Sequence, residues 1–141
     1  MDTLLTISGD LLPPYSTRGA SQTLEPIDAA ANMRRTVNGA LKDISFDGFR
    51  KYKSAITCTD QRVPALDGVW PGKTITVGCV QELCYKTVGG APSRPVVSGS
   101  SRTEGDYTYY RPQLTMLITG YQTTLDEWDA TTGFTLNLEE V

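Results

Sequence analysis

Hydrophobic and polar residues alternate along most of this chain, which is the pattern of β-strands that bury one face. The longest such stretch, KTITVGCVQELCY at 73–85, predicts a core face made of Ile75, Val77, Cys79, Gln81, Leu83 and Tyr85. Shorter strands are predicted at 49–59, 107–111, 113–123 and 133–141. Turn-forming Gly, Pro, Asn and Asp residues separate these runs, so we expect about seven to nine strands and at most two short helices. The pattern predicts an all-β fold, an antiparallel β-sandwich or barrel.

The clearest local signal is the Asn38-Gly39 pair, which lies between the short runs RRTV and ALKDI. Asn and Gly tolerate best the positive φ angles of a type I′ turn, so the sequence predicts a two-residue β-hairpin here. Arg34 and Arg35 would lie on opposite faces of this hairpin, because successive side chains of a strand alternate. A hairpin with charge on both faces cannot be fully buried, and we therefore expect it to project from the fold.

The N-terminal segment alternates only loosely. Residues 1–31 are predicted to form an extended N-terminal arm of a single domain that covers 1–141. Pro13 and Pro14 interrupt any regular ladder, because proline supplies no backbone donor. Within the arm we expect short strands at 3–7 and 22–26.

Two short segments carry signals for the start of a helix. Asp28 could cap a short helix over 28–32, DAAAN. The run TLDE at 124–127 has the form of a capping box, which predicts one helical turn that carries Leu125 and Trp128.

Two further stretches are rich in Pro, Gly and Ser or Asp. Residues 61–72 predict an irregular loop that packs through its apolar residues, with Trp70 anchoring it to the sheet. Residues 86–103 predict a long surface loop that contains a short strand at Val96-Val97. A loop of this length in a compact domain is usually functional or mobile.

Charge and length narrow the possible functions. A chain of 141 residues with a net charge of −3 and a pI near 4.9 is expected to be one domain that does not bind nucleic acid non-specifically. No run approaches the ~18 apolar residues that a membrane helix needs, so we expect no membrane insertion. The N-terminal MDTLLTISGD has no basic leader, and we expect no secretory signal.

Three cysteines, Cys58, Cys79 and Cys84, cannot pair completely as disulfides. The four residues between Cys79 and Cys84 are a wider spacing than that of a zinc knuckle, and no histidine is present to complete a mixed site. Because each cysteine lies in an apolar run, all three are predicted to be buried free thiols. That indicates a reducing compartment.

The absence of histidine excludes Ser–His and Cys–His nucleophile pairs. By their placement, the acidic residues of most interest are Asp60, Asp67, Glu82, Glu104, Asp106, Asp126, Glu127 and Asp129. The last three resemble part of a calcium loop but lack the glycine and the distal glutamate of an EF-hand. We therefore expect no catalytic, cofactor-binding or metal-binding residues, no cofactor, and no enzymatic activity.

The run YTYYR places three tyrosines beside Arg111. On one strand Tyr107 and Tyr109 would share a face and Tyr110 would take the other. Tyrosines of this kind could stack against sugars or bases. Tyrosine and arginine are also enriched in protein interfaces, and we favour that interpretation.

Four segments carry a family resemblance: RRTVNG at 34–39, FRKY at 49–52, CTDQ at 58–61 and LDGVWPG at 66–72. Together they resemble a group of small β-rich proteins encoded among the structural genes of tailed bacteriophages. The resemblance extends from about Pro14 to the C-terminal LEEV. It implies a virion protein that is made in the cytoplasm of the host bacterium and is present in many copies in the particle.

The expected function is therefore that of a non-enzymatic structural subunit of the tail or neck, associated with a ring, a tube or the baseplate. Its expected partners are other copies of itself and other virion proteins. An alternative is a cement protein that decorates and stabilises the capsid lattice. A further alternative is a carbohydrate-binding module for host recognition, with Tyr107, Tyr109 or Trp70 as its aromatic platform.

Overall fold

The computed structural model describes residues 3–128 and 130–141. These residues are almost entirely β-structure, which confirms the predicted all-β class. The strands, in chain order, are β1 (Thr6–Ile7), β2 (Ser21–Pro26), β3 (Met33–Arg35), β4 (Leu41–Asp43), β5 (Tyr52–Asp60), β6 (Thr74–Gly78), β7 (Leu83–Lys86), β8 (Arg102–Glu104), β9 (Tyr107–Tyr110), β10 (Gln113–Leu125) and β11 (Thr132–Glu140). The helical segments are single 3-10 turns at Asp28–Ala30 and Asp47–Phe49.

Six strands form the main sheet in the order β1-β6-β10-β11-β5-β2, and every neighbouring pair is antiparallel. The sheet curls into a half-barrel. A register shift between Ile118 and Gly120 lies in its central β10–β11 pair, and such bulges bend a strand and increase its twist. Strands β7, β9 and β8 form a second sheet in that order, and β3 pairs with β4 alone.

The core lies against one face of the main sheet. Alternate residues of four strands are buried there: Ile56, Cys58, Ile75, Val77, Leu114, Met116, Ile118, Phe134, Leu136 and Leu138. Five residues from outside these strands complete the same cluster: Leu5, Leu11, Leu66, Val69 and Cys79. The alternation predicted for 113–123 and 133–141 is thus confirmed.

The described part of the predicted N-terminal arm, residues 3–31, contains both expected short strands and packs on the main sheet. Strands β1 and β2 are the two edge strands of the main sheet, paired with β6 and β5. Leu5 and Leu11 are buried in the core, and this apolar contact holds the segment down. Asp28 begins a 3-10 turn without a side-chain cap, in place of the predicted helix.

The run at 73–85 is not one strand, and the prediction of Gln81 as a core residue is wrong. Strand β6 ends at Gly78, and β7 begins at Leu83 in the second sheet. Between them the amide of Val80 donates to the Gln22 side chain at 2.7 Å instead of to a neighbouring strand. Gln81 is consequently exposed.

The helical turn predicted from the capping-box pattern is also wrong. Strand β10 continues through Leu125, which pairs with Thr132 of β11. The backbone of Thr124 and Leu125 is paired with Gly133 and Thr132 in this long hairpin, so it does not begin a helix. Trp128 lies in the turn beyond it and is 93% exposed.

Both long loops have the predicted character. The 61–72 loop is packed through Leu66 and Val69, but Trp70 is 73% exposed and does not anchor it. The 86–103 loop connects β7 to β8. It pairs with the residue before β10 through the isolated bridge Val96↔Pro112.

Candidate functional site

The β3–β4 hairpin is the most unusual part of the molecule. We define the hairpin surface as residues 31–50. Within it only Ser45 is partly buried, and the other residues are exposed. Six of the exposed side chains are large and apolar: Met33, Val37, Leu41, Ile44, Phe46 and Phe49. The expectation of a projecting hairpin is confirmed.

The turn of the hairpin differs from the predicted type I′ geometry. Gly39 has a φ of +82°, but Asn38 is not among the residues with positive φ. The amide of Gly39 donates to the Thr36 carbonyl, and the amide of Thr36 donates to the Ala40 carbonyl, both at 2.8 Å. This is a three-residue loop with glycine in the left-handed position, which is the next commonest hairpin connection.

The base of the hairpin is fixed by local hydrogen bonds. The carboxylate of Asp43 accepts from the amides of Asn32 and Ser45, each at 3.0 Å. The amide of Asn32 is the main cause of the lowered pKa of Asp43, with that of Ser45 next. The hydroxyl of Ser45 donates to the Ala30 carbonyl at 3.0 Å. These bonds fix the base of the hairpin, while its large apolar side chains remain exposed.

The hairpin surface has an excess of positive charge. Within residues 3–128 and 130–141, Arg34, Arg35 and Lys42 make no ion pair. Nearby carboxylates already have partners: Asp47 pairs with Arg50 at 2.9 Å, while Glu25 and Asp28 lie 3.7 and 3.8 Å from Lys53. The cations on the hairpin are thus available to an external group.

Arg94 joins the 86–103 loop to the end of strand β11 in the main sheet. Its guanidinium makes bidentate contact with Glu140, with the shortest distance 2.7 Å from Nε to Oε2. It also donates to the Arg50 carbonyl at 2.8 Å and lies 5.3 Å from the ring centre of Tyr52. The hydrogen-bonded Glu140 carboxylate raises the pKa of Arg94.

A cleft of about 420 Å³ opens beside this arginine, at the base of the hairpin. Its apolar wall comes from Pro26, Ala30, Ala31 and Tyr52. Three cations, Arg50, Lys51 and Arg94, surround it. We call this the Tyr52 cleft.

At the opposite end of the main sheet the β10–β11 turn exposes a different set of side chains. We define the tip as residues 125–128. Leu125 and Trp128 are 63% and 93% exposed, and Asp126 and Glu127 lie between them. The third acidic residue of the suggested calcium loop, Asp129, lies outside the described residues. In the part of the chain that the structure describes, no group of three His, Cys, Asp or Glu side chains could hold a metal ion.

The other acidic residues are dispersed. Asp60 is buried and paired with Arg18. Glu82 and Glu104 come together, but both contact the guanidinium of Arg102, which lies between them. The remaining two, Asp67 and Asp106, are exposed in turns.

The tyrosines of β9 are divided as the sequence predicts. Tyr107 is exposed, whereas Tyr110 is buried and packs edge-on against Tyr85 with ring centres 5.9 Å apart. Tyr109 lies beneath Arg102, whose guanidinium is 4.6 Å from the ring centre. The aromatic face is therefore partly covered by a side chain of the protein itself.

The three thiols do not share one environment. Cys58 and Cys79 are buried, and burial raises the pKa of both, that of Cys79 to about 11. Cys84 is exposed, which corrects the prediction that all three are buried. It pairs with Tyr109 on the face of the second sheet that also carries Arg102. All three are free thiols.

Comparison with protein-family models, curated proteins and solved structures finds no match for this chain. Among the described residues no helix is long and apolar enough to cross a membrane. Sequence reasoning identified the hairpin but missed the Tyr52 cleft and the tip. The tip had a local signal in the sequence LDEW, whereas the cleft is built from segments that are distant in sequence.

Proposed function

We propose that this chain is a non-enzymatic structural subunit of a tailed-phage virion, located in the tail or neck and acting through protein–protein contacts. The hairpin surface is the observation that carries the proposal. Twenty consecutive residues, 31–50, hold a defined conformation while they expose six large apolar side chains. Exposed apolar groups concentrated in this way mark interaction sites on soluble proteins.

The backbone of the hairpin supports the same conclusion. Because β3 and β4 pair only with each other, each has an outer edge without a neighbouring strand in the described structure. A partner can add a strand to such an edge and place its side chains against Met33 or Leu41. An isolated two-stranded hairpin is only marginally stable in water, so a partner strand would also stabilise it.

A carbohydrate-binding role receives less support from the geometry. Stacking on a sugar needs an open aromatic face. Tyr110 is buried and Tyr109 is covered by Arg102, which leaves Tyr107 as the open ring of β9. The resemblance to tailed-phage structural proteins supplies the virion context.

The test is incorporation into particles. A triple variant, Met33→Ser, Leu41→Ser and Phe46→Ser, should fold normally but be lost from particles purified from infected cells, as measured by quantitative mass spectrometry. Val88→Ser is the matched control, because Val88 is 79% exposed in the turn that follows β7. Its incorporation should be unchanged.

The absence of the wild-type protein from purified particles would refute the proposal, and so would normal incorporation of the triple variant. Separate analysis of heads that lack tails distinguishes the tail or neck from the capsid. Retention on tailless heads would favour the cement-protein alternative.

A further inference from the structure

The two ends of the main sheet expose different surfaces, a cleft at one end and a tip that carries Trp128 at the other. The Tyr52 cleft lies at the first residue of β5, and the tip lies beyond its last residue, Asp60, which pairs with Thr132. A nine-residue strand spans about 30 Å. The cleft and the tip are therefore at opposite ends of the molecule and cannot meet within one chain.

From this arrangement we infer that the protein assembles head to tail, with Trp128 of one copy inserted into the Tyr52 cleft of the next. The inference rests on the proposed structural function and names the partner as a second copy of this chain. A fully exposed tryptophan and a pocket with an aromatic wall are the usual components of a binding hot spot.

The size of the cleft suits this occupant. An indole ring with its methylene group fits readily into a space of about 420 Å³. Pro26, Ala30 and Ala31 would contact the ring surface beside Tyr52, whose own ring lies 5.3 Å from the Arg94 guanidinium. Burial of the largest exposed apolar side chain of the tip would supply most of the affinity.

Charge complementarity fixes the orientation. Asp126 and Glu127 immediately precede Trp128, whereas Lys51 borders the cleft without an ion pair in the described structure. Arg50 and Arg94 also border the cleft, and they are paired with Asp47 and Glu140. At the same end of the sheet Arg18 is paired with Asp60, and Arg62 lies against the ring of Tyr15. Opposite charges across an interface favour the correct partner and suppress tip-to-tip contacts.

An interface of this kind is heterologous, because it joins two different surfaces. Each added copy leaves one free cleft and one free tip, so assembly gives a closed ring or an open filament according to the rotation between copies. Ring or tube geometry follows from one repeated contact.

The test uses one variant at each end of the interface. Trp128→Ser removes the inserted side chain, and Ala31→Trp fills the cleft. Sedimentation velocity of the wild type over a range of concentrations should show a series of oligomers, and each variant alone should be monomeric. Trp70→Ser and Val88→Trp, both on exposed positions elsewhere, should assemble like the wild type.

A mixture of the two variants provides the decisive result. Ala31→Trp retains its tip and Trp128→Ser retains its cleft, so an equimolar mixture should form 1:1 dimers and stop there. A wild type that stays monomeric at every concentration would overturn the inference, as would variants that assemble normally. A mixture that stays monomeric would also overturn it.

The head-to-tail contact and the virion role can fail independently of each other. If the hairpin triple variant is lost from particles while Trp128→Ser still enters them and the wild type is monomeric, the head-to-tail contact is wrong and the virion role stands. If the two variants complement each other as described but the protein is absent from particles, the virion role is wrong and the contact stands.

Discussion

Asp60, the last residue of β5, accepts three hydrogen bonds from Arg18. The backbone amide of Arg18 donates at 2.9 Å, its Nε at 3.3 Å and its Nη2 at 3.0 Å. The carboxylate is almost completely buried, and its pKa is lowered to about 2, chiefly by the side-chain hydrogen bond from Arg18. This contact joins the N-terminal segment to the main sheet.

Replacement of Asp60 by Asn should make the stability of the protein less sensitive to acid. The pKa of Asp60 is about 2 in the folded state and 3.8 in the unfolded state, so the ionised carboxylate stabilises the fold above about pH 4. This contribution is lost as the pH falls towards 2. Urea unfolding at pH 6, 4, 3 and 2 should show Asp60→Asn less stable than the wild type at pH 6, with a difference that shrinks on acidification. Asp67→Asn, at an exposed position, is the control. A difference that is constant with pH would contradict the assignment.

Gln22 connects the edge strand β2 to the segment that follows β6. Its Oε1 accepts from the Val80 amide at 2.7 Å, and its Nε2 donates to the Ser54 hydroxyl at 3.0 Å. Gln22→Met keeps the length of the side chain but leaves both groups without a partner, which should cost about 1–3 kcal/mol of unfolding free energy. Gln81→Met, on an exposed side chain, should change it by less than about 0.5 kcal/mol. Chemical denaturation of both variants measures the difference.

The sequence predicted the strands with an unbroken alternation, as β5 and the β10–β11 hairpin show. Strands β10 and β11 form one hairpin, and their alternation gave Met116 and Leu136 as core residues correctly. The errors at Gln81 and Thr124 have one cause. Whether a strand ends or continues depends on the strand that pairs with it. The local sequence pattern carries no information about that partner strand.

The candidate site was less predictable for the same reason. Arg94 and Glu140 are separated by 46 residues, and neither stands in a recognisable motif. Arg94, which this ion pair holds, nevertheless lines one side of the cleft together with Tyr52. The hairpin surface could be predicted because its turn and both of its strands lie within one short segment.

Arg94→Met should release the 86–103 loop. Removal of the guanidinium leaves the buried Glu140 carboxylate without its partner, at a cost of about 3 kcal/mol, near the lower end for breaking a buried ion pair. Hydrogen exchange should accelerate at the amides of Val97 and Gln113, which bond across the base of the loop. Arg102→Met disrupts an exposed ion network and should cost much less than Arg94→Met. Equal effects of the two variants would show that the Arg94 contact does not hold the loop.

Thiol labelling should distinguish the three cysteines. Under native conditions an aromatic disulfide reagent at pH 8 should react rapidly with one thiol per chain, Cys84, because Cys58 and Cys79 are buried and their pKa values are raised. In denaturant all three should react. Cys84→Ser should remove the rapid phase and leave the slow phase. Rapid reaction of more than one thiol in the native protein would be inconsistent with this burial.

The apolar residues of the hairpin should contribute nothing measurable to the stability of the isolated chain. Met33 and Leu41 are 60% and 53% exposed, so Met33→Thr and Leu41→Thr together should change the unfolding free energy by less than about 0.5 kcal/mol. Met116→Ala, at a fully buried position of β10, should cost about 2–5 kcal/mol. Thermal and chemical unfolding at low protein concentration, where copies are separate, measures both. A large loss of stability in the hairpin variant would mean that these side chains serve folding, and their exposure would then no longer indicate a partner.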